Sequence, residues 1–486
     1  MKISALLFTT ATAGFALPAV GPDYTRPTTT APAAYRDAEN SGAWKTATPA
    51  DTLPRGAWWR IFADPTLDEL ESRALAANQD IRAAAARVEQ ARAAAGLARS
   101  AYFPSIAFDP SVTRERTSGT TDNIQPHQQS TTYRGALDSA WELDLFGRVR
   151  RLNESARADA AATAATFEAV RLALTADVAT NYFSLRALDA EIALVTNGVG
   201  LRRRALDLVL SRQRSGSATD FDVARSETEL AATEAEAIAL ANRRSALQNA
   251  LAVLVGEPAS SFEFSTLEAS GSAPPSIPSG LPSDLLERRP DIAAAERTLV
   301  AANARIGVAK AAFFPAISLT GSGGYASADV DNLFKSESRL WSIGPSVYLP
   351  IFQGGRNRAN LARSRAAFEE SLADYRQQVL VAFREVQDAL TGSRLLADQA
   401  SAQARAVASA RRGAQLSQTR YDSGFVNYLE VIDAQRTALD VERADARLAG
   451  QRWVTHIALI KALGGGWQSL SDGLAPRIQT FSQVQR

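Results

Sequence analysis

The sequence has no cysteine, two histidines and a single methionine in 486 residues. Without cysteine there are no disulfides, no thiolate nucleophile and no Cys-ligated zinc or iron–sulfur site. His127 and His456 stand far apart in the chain, so no metal site and no cofactor is expected. With Met1 as the only thioether, a methionine-lined route for copper or silver has no basis. An excess of one charge is missing as well: 53 Lys and Arg against 52 Asp and Glu leave a formal charge of +1. Such a surface does not favour nucleic acid. After the first twenty or so residues no apolar run is long enough to cross a bilayer as a helix, so any insertion must use strands. Gly321-Ser322-Gly323-Gly324 follows a strand-like stretch but opens no helix, so it lacks the setting of a dinucleotide loop. The carboxylates form no convincing pair away from helical faces. Enzymatic chemistry is not expected.

What the chain does contain begins with Met1-Lys2 and an uncharged stretch, Ile3 to Val20, with small residues at Gly14, Ala16 and Ala19. It reads as a secretory signal over residues 1–19 rather than as an anchor helix, because Thr9, Thr10, Thr12, Gly14 and Pro18 weaken and break it.

An internal repeat then sets the organisation. Asp80-Ile81, Gly96 and Phe103-Pro104-Ser105-Ile106 recur as Asp291-Ile292, Gly307 and Phe314-Pro315-Ala316-Ile317 at an offset of 211. Phe146-Gly147-Arg148 is answered by Phe352 and Gly355-Arg356. Arg212, Ser215-Gly216 and Gly256 are answered by Arg420, Ser423-Gly424 and Gly464 at an offset of 208. The expected division is an extended N-terminal segment over 20–66, a first repeat over 67–256, a Pro-rich connector over 257–289, a second repeat over 290–467 and a tail over 468–486.

Each repeat changes period in the same order. Ala-rich helix comes first, then alternation of the strand type. Tyr133, Leu137, Trp141 and Leu143 alternate with Arg134, Asp138, Glu142 and Asp144. Trp341, Ile343, Val347 and Leu349 oppose Ser342, Ser346 and Tyr348. The two apolar sets are the candidate lipid face, and the β-hairpins are expected at about 103–146 and 314–352. A very long helix follows in each repeat. Phe368, Leu372, Tyr375, Val379, Ala382, Val386 and Ala389 alternate steps of four and three, a coiled-coil seam. Gly198 and Gly200 are the expected soft spots of the first long helix. Both rods reverse at Ser-Gly, with tip turns at 215–218 and 423–426, and return as shorter helices. Four strands cannot close, and an open sheet in lipid leaves costly unpaired edge groups. Two chains would supply eight strands, which side chains fill, whereas three supply twelve and leave a passage. The competing reading of the same alternation is a soluble sheet packed on helices.

Four stretches carry a family resemblance: Val20-Gly21-Pro22-Asp23-Tyr24 with Arg26-Pro27; Trp58-Trp59 with Phe62 and Asp64-Pro65; Gly280-Leu281-Pro282 through Arg288-Arg289-Pro290-Asp291-Ile292; and Leu463-Gly464-Gly465-Gly466-Trp467. Over nearly its whole length the chain resembles the TolC-like outer-membrane factors, in the branch serving resistance-nodulation-division pumps. The resemblance implies a homotrimer with a twelve-stranded barrel in the outer-membrane lipid and a periplasmic tube of helices encircled by a belt of mixed structure. It also implies an exit duct for substrates, drug-like amphiphiles foremost, received from an inner-membrane pump and a periplasmic adaptor. Members of that branch usually carry a lipobox cysteine ahead of the Gly-Pro-Asp-Tyr segment, and this chain has none. The barrel is therefore expected to hold it in the membrane.

By the same resemblance Tyr421, Asp433 and Arg436 form polar links that shut the periplasmic entrance, and Leu429 adds an apolar ring. Arg225 stands where the second repeat has Asp433, so the two hairpins are expected to pair across the gate. Ser215-Gly216 and Ser423-Gly424 become docking tips for the adaptor. Read from spacing alone, Asp433 and Arg436 are an ordinary exposed helix pair, and the glycines serve only left-handed turns. Two other functions fit parts of the pattern: a type I protein-secretion channel, and a coiled-coil envelope protein without a pore.

Overall fold

The computed structural model describes residues 19–28, 56–120, 128–266, 274–275 and 289–465. The expected signal segment up to residue 18, most of the Pro-rich connector and the C-terminal tail lie outside the described residues. The described residues fall into two compact units, drawn from Met1–Thr28, Arg87–Ala164 and Ala294–Arg376 for one and from Thr29–Ala86, Ala165–Ala293 and Gln377–Arg486 for the other.

The elements run α1 (Pro65–Ala77), α2 (Gln79–Ser100), β1 (Ser105–Arg116), β2 (Gln129–Leu143), α3 (Arg148–Arg214), α4 (Asp220–Leu254), α5 (Pro290–Ala311), β3 (Ala316–Ser327), β4 (Arg339–Tyr348), α6 (Arg356–Asp422) and α7 (Tyr428–Ala462). The duplication is a matter of length as well as order. α3 and α6 have 67 residues each, and α4 and α7 have 35 each. α2 and α5 have 22 each, and β1 and β3 have 12. Among the described residues no helix is long and apolar enough to cross a membrane.

The first unit holds one antiparallel sheet in the order β1-β2-β3-β4. Its register sorts the side chains. Phe108 lies opposite Leu137, Leu137 opposite Gly323, and Gly323 opposite Trp341. Because side chains alternate along a strand, one face carries Ile106, Phe108 and Val112 of β1, Tyr133, Leu137, Trp141 and Leu143 of β2, Ile317 and Leu319 of β3, and Trp341, Ile343 and Val347 of β4. The other face carries Asp109, Asp138, Glu142, Ser318, Ser322, Ser342 and Ser346. Phe108, Trp341, Ile343 and Val347 are all at least 60% exposed, a state that water does not tolerate over a whole sheet face. Beside the sheet, the Gly-Pro-Asp-Tyr segment is tied down by long-range bonds. Asp23 pairs with Arg151 at 2.6 Å, Arg26 with Glu296 at 2.9 Å, and the Asn303 amide donates to the Pro22 carbonyl at 3.0 Å.

The second unit is built on packed helices. Its core joins Trp58, Trp59, Leu67 and Leu70 to Leu172, Val178, Tyr182 and Phe183 of α3, Leu251 of α4, and Ile457 and Ile460 of α7. The Trp58 ring nitrogen donates to Thr175 at 3.1 Å. Asp64 caps α1 by accepting from the backbone of Thr66 and Leu67. Its other oxygen accepts from the Tyr182 hydroxyl at 2.6 Å and from Arg186 at 2.8 Å. Arg289, buried, bridges Asp291 at 2.5 Å and Glu385 at 2.6 Å and reaches the Ala462 carbonyl at 3.2 Å. Burial alone would raise the Asp291 carboxyl, but the bonds and charge of Arg289 hold it below the usual carboxylate range.

The seam expected along α6 is present: all seven of its positions are buried or half-buried. Gly198 corrects an expectation. α3 continues through it without a break, and a β-carbon there would stand 3.2 Å from Leu439 of α7. It is a place of close helix approach, not a soft spot. Gly450 of α7 is tighter still, with a β-carbon falling 2.5 Å from that of Ala187.

Candidate functional site

The hairpin ends of the second unit gather the expected entrance residues. Both long helices stop in the same hydrogen-bonded motif. At the first tip Ser217 N donates to Arg212 O at 2.7 Å and Gly216 N to Gln213 O at 2.9 Å; at the second, Phe425 N donates to Arg420 O and Gly424 N to Tyr421 O, both at 2.9 Å. That closure requires a left-handed residue, and Gly216 and Gly424 have φ of +76° and +78°. Among the described residues, chain neighbours apart, nothing lies within 4 Å of where either β-carbon would be. Each return helix then starts on a side-chain cap, Thr219 for α4 and Asn427 for α7.

Above the tips, ionic contacts join the two hairpins within one chain. Arg225 of α4 pairs with Asp433 of α7 at 3.6 Å. Asp433 also accepts from Arg436 at 3.2 Å, and Arg436 reaches Glu229 of α4 at 3.5 Å. Glu229 in turn faces Arg202 of α3 at 3.8 Å. Arg225, Asp433 and Arg436 thus meet, and the partner that sequence reasoning missed is Glu229. Tyr421 is buried. Its hydroxyl accepts from Arg212, whose guanidinium also lies over the ring at 4.6 Å from its centre, and Tyr428 packs beside it at 5.3 Å. Leu429 stays apart from these links and is 39% exposed. Arg436 and Asp433 are each about half exposed, so each pair contributes at most about 1 kcal/mol.

One heptad further along, the same two helices are joined by a buried node. Arg443 of α7 donates to Glu191 of α3 at 3.0 Å and to Glu236 of α4 at 2.9 Å, and Arg447 adds a bond to Glu191 at 2.9 Å. Glu191 and Arg443 are both buried. Burial opposes ionisation of Glu191, but the hydrogen bonds from Arg447 and Arg443 outweigh it and hold the carboxyl below its ordinary range. Nothing in the sequence-level reading pointed to this node. The available signal was a charged residue seven positions from Gly450 on the packed stripe of α7.

A sheet with an apolar face suited to lipid and a polar face suited to water, joined by sequence to paired helical hairpins, defines an outer-membrane channel protein with a helical extension. The comparisons agree. The family model described as outer membrane efflux protein matches residues 70–257 and 281–465, and the chain belongs to that family. It is 35% identical over 456 residues to the toluene efflux pump outer membrane protein TtgF of Pseudomonas putida, covering 93% of this chain and 94% of that one. It is 33% identical over 450 residues to the cation efflux system protein CusC of Escherichia coli, covering 92% and 96%. The solved structure of the outer-membrane channel OprN superposes with a TM-score of 0.83 at 32% identity, covering 93% of this chain and 100% of that one. The chain is thus an outer-membrane efflux channel component, and its fold of helical hairpins, four-stranded sheet and internal duplication is the one the sequence led us to expect.

Proposed function

We propose that three copies of this chain close their sheets into one barrel and serve as the exit duct of a tripartite efflux assembly, gated at the hairpin tips. The observation that carries this reading is the sheet. It has a one-sided apolar face and two unpaired edges, β1 and β4, of twelve and ten residues. Each unpaired edge group in lipid costs several kcal/mol, and joining β1 of one copy to β4 of the next removes them all. Eight strands would be filled by side chains, whereas twelve leave room for water and cargo.

The entrance is held by Arg225–Asp433–Arg436–Glu229 and by Tyr421 under Arg212, with threefold symmetry repeating each link and Leu429 placed to narrow the opening. Opening exchanges these weak links for contacts with a periplasmic adaptor docked on Ser215-Gly216 and Ser423-Gly424, a hinge-type change. An inner-membrane pump selects the cargo, and the duct passes it without a chemical step of its own. Organic compounds, amphiphiles among them, suit a chain with no cysteine and only Met1 as a thioether better than soft metal cations do, and TtgF is named for an organic solvent.

Conductance of the purified protein in planar bilayers tests the gate. Arg436→Ser and Tyr421→Phe are expected to raise single-channel conductance above wild type. Unaltered conductance in both variants, with trimers intact, removes these residues from the entrance.

A further inference from the structure

The charges on the sheet are sorted by face. The polar face carries Asp109, Glu115, Asp138 and Glu142 beside Arg134. The apolar face carries no carboxylate at all within the four strands. Its only charges are Arg114 and Arg116, at the end of β1, and Arg339, at the start of β4. All three arginines are exposed. None has an ion-pair partner among the described residues of its own chain. Glu115, between the first two, alternates to the opposite face, where it accepts from Ser130 at 3.5 Å.

These guanidiniums belong to the hairpin-loop end of the sheet. Along β1, Arg114 and Arg116 stand about 7 and 14 Å beyond Val112 at 3.4 Å per residue, and Val112 is the residue paired with Tyr133. They therefore lie past the apolar belt, at headgroup depth. The opposite ends of the strands lead into the helices, which places the arginines on the outer leaflet side.

Within one chain, β1 and β4 are separated by two strands. Closure into a ring makes them neighbours about 4.8 Å apart. The stagger of the sheet brings their arginines together. The ladder line that starts at Ser105, the first residue of β1, passes through Ala140 and Thr320 to Gly344, four residues short of the end of β4 at Tyr348. The line thus climbs by about four residues on crossing the chain. Arg339 lies on the line of Pro110, Gly135 and Tyr325. The same climb carries it to the level of Arg114 and Arg116 on β1 of the partner subunit.

Resting on the trimeric reading above, we infer that each seam between copies presents Arg114, Arg116 and the neighbouring copy's Arg339 as an outward-facing site for the phosphate groups of an outer-leaflet glycolipid. Guanidinium forks bind phosphate bidentately. The apolar belt below, with Trp341 and Ile343 beneath Arg339, accommodates acyl chains. A phosphorylated lipid bridging two copies also pins a seam that backbone pairing alone would hold, so lipid binding and barrel closure are coupled.

The test uses the full-length detergent-purified protein and native mass spectrometry with bis-phosphorylated lipid A and its dephosphorylated form as probes. Wild-type trimer is expected to retain one phosphorylated lipid per seam and to bind the dephosphorylated lipid at least about tenfold more weakly. The R114Q/R116Q/R339Q triple variant is expected to lose that preference, R114K/R116K/R339K to recover part of it, and Arg134→Gln, on the polar face, to keep it. An intact wild-type trimer that binds both lipids equally overturns the inference while leaving the duct standing, and so does a triple variant that keeps the preference. If the triple variant does not assemble, the wild-type comparison between the two lipids still decides. A wild-type chain that purifies as a monomer overturns the trimeric duct and the seam together.

Discussion

Replacing Glu71 with leucine is expected to stabilise the protein, and to do so more as the pH rises. Glu71 sits on α1 with no exposed surface, among the residues that anchor α1 to the helical core. Among the described residues neither of its carboxyl oxygens meets a hydrogen-bond partner. Burial, and secondarily the charge of Asp68, push its pKa from 4.5 up to about 9. Between those values the unfolded chain has lost the proton and the folded chain keeps it. The folded state therefore binds more protons, and stability falls with rising pH by about 1.4 kcal/mol per unit. The penalty is absent below the unfolded value and complete only above pH 9 or so. From pH 5 to pH 8 the relative advantage of Glu71→Leu should grow by about 4 kcal/mol per chain. At roughly 2.1 cal/mol/K per residue, a chain of 486 residues unfolds with about 1 kcal/mol/K, so the gap in melting temperature should widen by about 4 °C. Thermal melts of wild type and variant in one detergent, at half-unit steps of pH, read this directly. A constant gap across the range refutes the reasoning, because it would mean that Glu71 does not stay protonated on folding.

Two further outcomes follow from the helix contacts. Gly450→Ala forces a β-carbon to 2.5 Å from that of Ala187, so it is expected to lower stability by about 1–3 kcal/mol; adding Ala187→Gly should restore most of it, as read from the dissociation temperature of the assembly on unboiled gels. Arg443→Leu strips Glu191 and Glu236 of their shared partner and is expected to destabilise by about 3 kcal/mol. The double variant with Glu191→Leu should cost less than the two single effects summed, which a double-mutant cycle in denaturant melts measures.

The parts of this molecule that follow from a repeating period were legible in the sequence. Alternation at Tyr133–Leu143 and at Trp341–Val347 assigned both apolar sets to what the register makes a single face. Steps of three and four from Phe368 to Ala389 identified the packed stripe of α6. The offset of 208 between Ser215-Gly216 and Ser423-Gly424 pointed to two reversals, because a left-handed helix closure favours glycine. What the sequence concealed are contacts between helices remote in the chain. Arg436 shows its local neighbour Asp433 at i,i+3, but Glu229 is 207 positions away, and nothing periodic marks it. Gly198 reads as a weak helix position until the facing helix supplies Leu439, and nothing in the sequence singles out Gly450 until Ala187 is placed against it. Glu71 lies on a helix face that a charged residue ordinarily turns to water, and only the packing of α1 against α3 and α4 removes that water.

The two return helices, α4 and α7, are equivalent elements of the duplication, and they pair with each other in a heptad rhythm. Glu229 meets Arg436, and seven residues on in each helix Glu236 meets Arg443. The rungs are alike in chemistry and unequal in strength. At the lower rung Arg436 has half its side chain in solvent, whereas at the upper one Arg443 is 10% exposed and shares Glu191, itself 3% exposed, with Arg447. Breaking the lower rung costs at most about 1 kcal/mol, because water replaces what the partner gave. Breaking the upper one takes a buried guanidinium away from Glu236 and leaves Glu191 to Arg447 alone, which costs about 3 kcal/mol. The hairpins are therefore joined more weakly at the first rung than at the second. Seven helical residues span about 10 Å, so the opening proposed above is expected to involve a short terminal segment, with the helices beyond Arg443 keeping their packing.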